Sequence, residues 1–87
     1  MRPTTLSGEE IAARGTKIYE DSIRAKVERE HHGDFVIIDI DSGDYEVDRE
    51  DIVASKRILE RRPEAILFGL RAGFPTAYRL GGRFGLK

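Results

Sequence analysis

The chain of 87 residues contains no cysteine, no tryptophan and a single methionine. The absence of cysteine excludes disulfides and thiol chemistry and removes the preferred ligands of structural zinc. It also favours an intracellular, cytoplasmic location over a secreted one. Apolar runs are only a few residues long, and the first residues, MRPTTLSGEE, include no apolar stretch. We therefore expect neither a membrane span of about 20 residues nor a signal peptide.

The net charge is −1, but the two signs are separated along the chain. Residues 1–55 carry 7 basic and 14 acidic side chains, whereas residues 56–87 carry 8 basic and 2 acidic ones. The acidic part would repel phosphate, so the whole chain is a poor general binder of nucleic acid. We expect the two parts to attract each other within the fold or across a dimer. The length predicts a single domain over residues 1–87, with 1–6 and 81–87 as flexible or docking tails.

The first element is a long helix. Ser7 and Glu10 have the spacing of a capping box, and apolar residues follow at helical intervals. Gly15 lies inside this pattern, which predicts a close approach of the helix to another element. The helix is expected to end near Glu30, before the stop signal Gly33.

The segment DFVIIDIDSGDYEVD has the alternation of two strands joined by a turn, with Gly43 supplying a positive φ. Asp48 is expected to cap a second helix that stops before Pro63. The last third predicts a strand over 65–71, a turn over 72–75 and a strand over 76–80. The expected fold is therefore α+β with the order α-β-β-α-β-β, and its two helices pack on one face of a small, mostly antiparallel sheet.

Two motifs in the hairpin suggest chemistry. Asp41-Ser42-Gly43 follows an apolar run, as in aspartic proteases, and the length suits a homodimeric enzyme that uses Asp41. The following residue, Asp44, stands where that motif needs a small side chain. A calcium loop needs glycine at its sixth position, and here Asp44 occupies that position as well. The protease is therefore a remote alternative, and a calcium site is not expected.

Other catalytic or ligand-binding patterns are not evident. His31 and His32 are adjacent, so their side chains diverge on a helix or a strand and make a weak metal site. The serines lack the context of a nucleophile elbow, and the glycine-rich tail lacks the residues of a phosphate-binding loop. We therefore assign no catalytic, cofactor or metal residue, expect no cofactor, and find no small-molecule substrate suggested.

The basic, aromatic stretch LRAGFPTAYRLGGRFGLK is the best candidate for binding, since arginine and aromatic residues are enriched at interfaces and in nucleic-acid grooves. Its candidate interaction residues are Arg71, Phe74, Tyr78, Arg79, Arg83 and Phe84. The hairpin supplies an acidic edge of Asp39, Asp41, Asp44 and Glu46. In an alternative interpretation, the aromatic residues Phe74 and Tyr78 are core and the arginines Arg71 and Arg79 face the acidic hairpin.

The runs FVIIDIDSGDYEVD, IVASKRILERRPEA and FPTAYRLGGR together give the chain a resemblance to a group of small uncharacterised bacterial proteins, over about residues 7–84. The resemblance implies an antitoxin-like or accessory protein of a two-gene cassette, of a kind sometimes encoded beside retropepsin-like proteins. It supplies no catalytic residues.

Together these features predict a non-catalytic intracellular module that binds a protein partner or a second copy of itself. Nucleic-acid binding through the basic C-terminal third is the alternative. No contact with a membrane is expected.

Overall fold

The computed structural model describes residues 5–74. They begin with one long helix, made of α1 (Gly8–Ile18), a π-helical segment (Tyr19–Ile23) and α2 (Arg24–Glu30). A hairpin of β1 (Phe35–Asp39) and β2 (Tyr45–Asp48) follows, and then α3 (Asp51–Arg61) and β3 (Leu67–Arg71). The expected α+β class is confirmed. The strand expected at 76–80 lies outside the described residues.

The long helix begins and ends where the sequence predicts. The Glu10 N–H donates to Ser7 Oγ at 3.1 Å, and the Ser7 N–H donates to the Glu10 carboxylate at 2.8 Å, so the capping box is present. α2 ends at Glu30, and Gly33 follows with a φ of +91°. The conformation of Gly33 is one that residues with a side chain rarely adopt.

The π-helical segment keeps one stripe of the long helix on the core. Its buried residues recur at every fourth position: Ile11, Gly15, Tyr19, Ile23 and Val27. A regular α-helix turns by about 100° per residue, so a strict spacing of four drifts by about 40° at each step. A π turn contains more residues. It therefore turns the stripe back towards the sheet at Tyr19 and Ile23.

The sheet has the order β2-β1-β3, and β1 pairs antiparallel with both neighbours. Gly43 has a φ of +82°, which confirms the expected conformation of the hairpin turn. β3 begins at Leu67, two residues later than the sequence predicts.

The prediction that Asp48 caps the second helix is wrong. The N-cap of α3 is Glu50, which makes no side-chain capping bond. Asp48 Oδ1 instead accepts the Glu50 N–H at 3.0 Å, in the short turn before the helix. α3 ends at Arg61, before Pro63, as expected.

The two helices do not share one face of the sheet, and that part of the predicted fold is wrong. The long helix packs on the face formed by Val36, Ile38, Ile40, Ile66, Phe68 and Leu70. α3 covers the other face, where its Ala54 and Ile58 pack with Ile37, Ala65 and Leu67. The physical reason is the central position of β1, whose consecutive Val36, Ile37 and Ile38 are all buried. A strand that is apolar on both faces needs a cover on each.

Candidate interaction surface

Arg71, at the end of β3, is held against two aromatic rings. It lies across the sheet from Phe35, and its guanidinium carbon is 5.4 Å from the centroid of that ring. The same carbon is 4.4 Å from the centroid of Phe74, and Nε donates to the Gly33 carbonyl at 3.1 Å. Cation–π contacts and a hydrogen bond thus fix a side chain that would otherwise sample many rotamers.

A tight turn places Phe74 beside this arginine. The Phe74 N–H donates to the Arg71 carbonyl at 3.1 Å, and Gly73 between them has a φ of +84°. A side chain at Gly73 would collide with His32, whose ring centroid is 5.9 Å from that of Phe74. We name Phe35, Arg71, Phe74 and His32 the Phe74 patch.

Phe74 remains 46% exposed despite these contacts. Within residues 5–74, the other large apolar side chain that is as open to solvent is Ile52, on α3. Phe74 is therefore an exposed apolar side chain that packs against Arg71 and His32. Ile52, in contrast, is a single exposed aliphatic side chain, which is common on protein surfaces.

A depression of about 300 Å³ adjoins the Phe74 patch. The long helix contributes Tyr19 and Glu28 to its walls, and the end of β3 contributes Leu70, Gly73 and Phe74. The Tyr19 hydroxyl donates to the Glu28 carboxylate at 2.9 Å. Burial and this hydrogen bond raise the pKa of the Tyr19 phenol, and the same bond lowers the pKa of Glu28. The depression is therefore lined by a neutral phenol and an ionised carboxylate at neutral pH.

The acidic edge expected from the sequence divides into two parts with different roles. Asp39 is 3% exposed and organises the hairpin turn. Its carboxylate accepts the Ser42 hydroxyl at 2.8 Å, the Asp41 N–H at 3.1 Å and the Ile66 N–H at 3.2 Å. Asp39 thus joins the turn to the residue that precedes β3. Asp41, the aspartate of the protease-like motif, is exposed in the turn.

The other part of the acidic edge, Asp44 and Glu46, forms ion pairs with α3. Arg61 contacts Asp44 at 2.8 Å and also pairs with Glu46, and Arg62 contacts Asp44 at 3.2 Å. Arg57 adds contacts to Glu46 at 3.6 Å and to Asp48 at 3.0 Å. The Arg61 guanidinium holds the pKa of Asp44 below its usual range. The charge separation along the sequence is therefore neutralised here within the fold, by the helix and not by Arg71.

Two of the six candidate interaction residues, Arg71 and Phe74, come together in the structure. The other four, Tyr78, Arg79, Arg83 and Phe84, lie outside residues 5–74. Sequence reasoning missed Phe35 and His32 as neighbours of Arg71, because only the register of β1 and β3 and the turn at Gly73 bring them close.

Several other features bear on function. In the described part of the chain, no group of three or more His, Cys, Asp or Glu side chains could hold a metal ion. Over the same residues, no helix has both the length and the apolar character needed to cross a bilayer. No family model, curated protein or solved structure matches the chain.

Proposed function

We propose that the protein is a non-catalytic, cytoplasmic module that binds another protein through the Phe74 patch. One observation carries this proposal: Phe74 is 46% exposed while its ring stacks on an arginine that Phe35 and Gly33 hold in place. Aromatic residues and arginine are enriched in the cores of protein interfaces and dominate their binding energy.

The order of the Phe74 patch favours tight binding. An exposed arginine loses rotamer freedom when a partner immobilises it, at about 0.5–1.5 kcal/mol for such a side chain. In this structure, stacking on Phe74 and the hydrogen bond to Gly33 already restrict the rotamers of Arg71 in the absence of a partner. Preorganisation of this kind increases affinity without adding contacts.

The patch indicates the chemistry of its partner. Arg71 Nε is engaged by Gly33, whereas its two terminal nitrogens make no hydrogen bond or ion pair with residues 5–74. The planar guanidinium of an arginine pairs best with a carboxylate, in a two-point arrangement. We therefore expect a partner that presents an aspartate or glutamate to Arg71 and an apolar side chain to Phe74.

Nucleic-acid binding, the alternative, receives less support. Arg57, Arg61 and Arg62 belong to the basic third of the chain, but all three are paired with carboxylates of the hairpin. A phosphate would have to displace those carboxylates or approach beside them. Steep salt dependence of binding to an oligonucleotide would favour this alternative over ours.

The protease alternative also receives little support from the geometry. The Ser42 hydroxyl donates to Asp39 and accepts the Asp44 N–H at 3.1 Å, so its hydrogen bonds stabilise a turn. An accessory or antitoxin-like role in a two-gene cassette remains a prediction from the resemblance, and so does a homodimer. In our proposal, the partner protein of such a cassette or the second copy of the chain would bind at the Phe74 patch.

Site-specific photo-cross-linking tests the proposed surface. A benzophenone amino acid replaces Phe74 in one variant and Ile52 in a matched control, and both are irradiated in lysate of the source cells. We expect one specific adduct from position 74 that is absent from position 52, with its mass distinguishing a second copy of the chain from a different protein. The same adducts from both positions, or none from position 74, would contradict the proposal.

A further inference from the structure

Arg71 and the depression beside the Phe74 patch belong to opposite faces of the sheet, and Phe74 adjoins both. Arg71 shares a face with Phe35, its partner across the strands, and the long helix packs on the other face. Leu70, which precedes Arg71 in β3, points to the long helix and lines the depression. Phe74 stacks on the Arg71 guanidinium and also lines the depression. One exposed aromatic residue therefore lies between a cation on one side and the depression on the other.

The described walls of the depression carry a net negative charge. Glu20 and Glu28 contribute carboxylates, and the cation of Arg24 pairs with them at 2.7 Å and 3.2 Å. The side chains of Glu20 and Glu28 are 47% and 29% exposed, so a partner can reach them. The bonds of Glu28 to the Tyr19 hydroxyl and to Arg24 both use Oε2. Because a carboxylate offers about four acceptor positions on its two oxygens, each of these groups can accept a further donor.

This surface presents both groups that the partner in our proposed function must supply. That partner brings a carboxylate to Arg71 and an apolar side chain to Phe74. The chain itself carries carboxylates in the depression and an exposed aromatic side chain at Phe74. Two identical copies related by a two-fold axis need such self-complementarity, because every contact between them occurs twice. A surface with charge of one sign would repel its own copy.

We propose that the partner is a second copy of the chain, bound across a two-fold axis at Phe74. The two Phe74 rings pack against each other at the axis, in the offset or edge-to-face arrangement that aromatic rings prefer. The two-fold rotation exchanges the two sides of the ring, so Arg71 of each copy faces Glu20 and Glu28 of the other. The identity of the partner rests on the proposed function, since both assign binding to the Phe74 patch.

Other positions of the axis are unfavourable. An axis at Arg71 would bring the two Arg71 guanidinium groups together. An axis in the depression would bring the carboxylates of Glu20 and Glu28 against those of the other copy. Like charges in contact oppose association. Only an axis at Phe74 joins apolar to apolar and cation to anion on this surface.

Sedimentation equilibrium of the purified full chain tests this arrangement with no other protein present. Small interfaces form weak complexes, so we expect a monomer–dimer equilibrium with a Kd of about 10–100 µM. Arg71→Glu sets a carboxylate against the acidic depression of the other copy, and Glu20→Arg sets a cationic depression against Arg71. Each variant should weaken dimerisation at least about tenfold. Lys56→Glu and Glu60→Arg, at exposed positions of α3, change the net charge by the same amounts and should leave the Kd within about threefold.

A mixture of the two charge variants tests which groups face each other. In a heterodimer of Arg71→Glu with Glu20→Arg, the introduced carboxylate faces the introduced cation. The second half of that interface keeps the wild-type contact between Arg71 and the depression. The mixture should therefore associate within about threefold of the wild-type affinity, although neither variant does so alone. The double variant should recover dimerisation for the same reason.

A wild-type chain that stays monomeric up to about 1 mM would overturn the inference. A mixture that associates no better than its components would do the same, and so would an equal loss of affinity in Lys56→Glu and Glu60→Arg. If one charge variant does not fold, the wild-type equilibrium and the other variant beside its control still decide. A monomeric wild type that cross-links from position 74 to a different protein would overturn this inference and leave the proposed function intact.

Discussion

The ring of Phe68 fills the space into which a side chain on Gly15 would project. A Cβ at Gly15 would lie 2.2 Å from Phe68 Cδ2 and 2.8 Å from Phe68 Cβ. The close approach that the sequence suggested is therefore one between the long helix and β3.

The Gly15→Ala variant should accordingly be less stable than the wild type. Alanine is the better helix former by about 1 kcal/mol, but overpacking against Phe68 costs about 1–3 kcal/mol. Gly8→Ala is the matched control, because Gly8 is an exposed residue at the start of the same helix. Urea denaturation should show a loss for Gly15→Ala and no loss for Gly8→Ala. A Gly15→Ala protein as stable as the wild type would contradict the packing described.

Replacement of Asp39 should destabilise the fold more than replacement of Asp41. Asp39→Ala leaves the Ser42 hydroxyl and the Ile66 N–H without their acceptor, and Asp39 itself is 3% exposed. We expect a loss of about 2–3 kcal/mol in the free energy of unfolding. Asp41→Ala removes an exposed carboxylate and should change it by less than about 1 kcal/mol. A larger loss of stability for Asp41→Ala than for Asp39→Ala would contradict this prediction and would point to a specific role for Asp41.

Local features of the sequence predicted much of this fold. The capping box at Ser7, the end of the long helix at Glu30 and the turn at Gly43 each depend on neighbours within a few residues, so their patterns are visible directly. The consecutive apolar residues of β1 also carried a signal for two covered faces. The period-two alternation of the hairpin instead indicates a sheet with one covered face, and the structure shows that the long helix and α3 cover opposite faces.

Long-range pairings were not predictable in the same way. Asp44 and Arg61 are 17 residues apart, and their contact depends on α3 lying over β2. The separation of charge indicated that the two parts of the chain would attract each other, but not which basic residues would be used. The Phe74 patch depends likewise on a strand register and a turn, which composition does not specify.

Ser55 and Ser42 differ in whether the side-chain hydroxyl forms hydrogen bonds, so the effects of removing each hydroxyl on stability can be compared. Ser55 Oγ on α3 is buried and has no hydrogen-bond partner among the described residues, whereas Ser42 Oγ donates to Asp39 and accepts from Asp44. Ser55→Ala should therefore be neutral or stabilising by up to about 1 kcal/mol, because it removes an unsatisfied buried group. Ser42→Ala should destabilise by about 1 kcal/mol. Thermal denaturation of both variants checks the contrast, and a clear loss for Ser55→Ala would refute it.

The ion pairs between the hairpin and α3 should make stability depend on pH in acid. Arg61 and Arg62 hold the pKa of Asp44 below its usual range, so in acid the unfolded chain binds this proton at a higher pH than the folded chain does. The stabilisation is present at neutral pH and is lost as the pH falls through the lowered pKa, below about pH 4.

Asp44→Asn should be less stable than the wild type near neutral pH, and the difference should shrink in acid and in high salt. Melting temperatures across the acid range measure this. Arg61→Gln is the matched partner variant, and the double variant should show that the two effects are not additive. A difference in melting temperature between Asp44→Asn and the wild type that stays constant at every pH would show that the ion pairs do not make stability depend on pH.

The most direct test of the proposed function is the affinity of the purified protein for the partner that the cross-link at position 74 identifies. Isothermal titration calorimetry would compare the wild type with Phe74→Ala, Arg71→Ala and the control Ile52→Ala; for a partner that is a second copy, sedimentation equilibrium gives the same constants. We predict that Phe74→Ala and Arg71→Ala each weaken binding by at least about tenfold, the loss of about 1.4 kcal/mol or more typical of central interface residues. Ile52→Ala should leave the affinity unchanged. Equal affinities for all four proteins would contradict the assignment of the Phe74 patch as the binding surface.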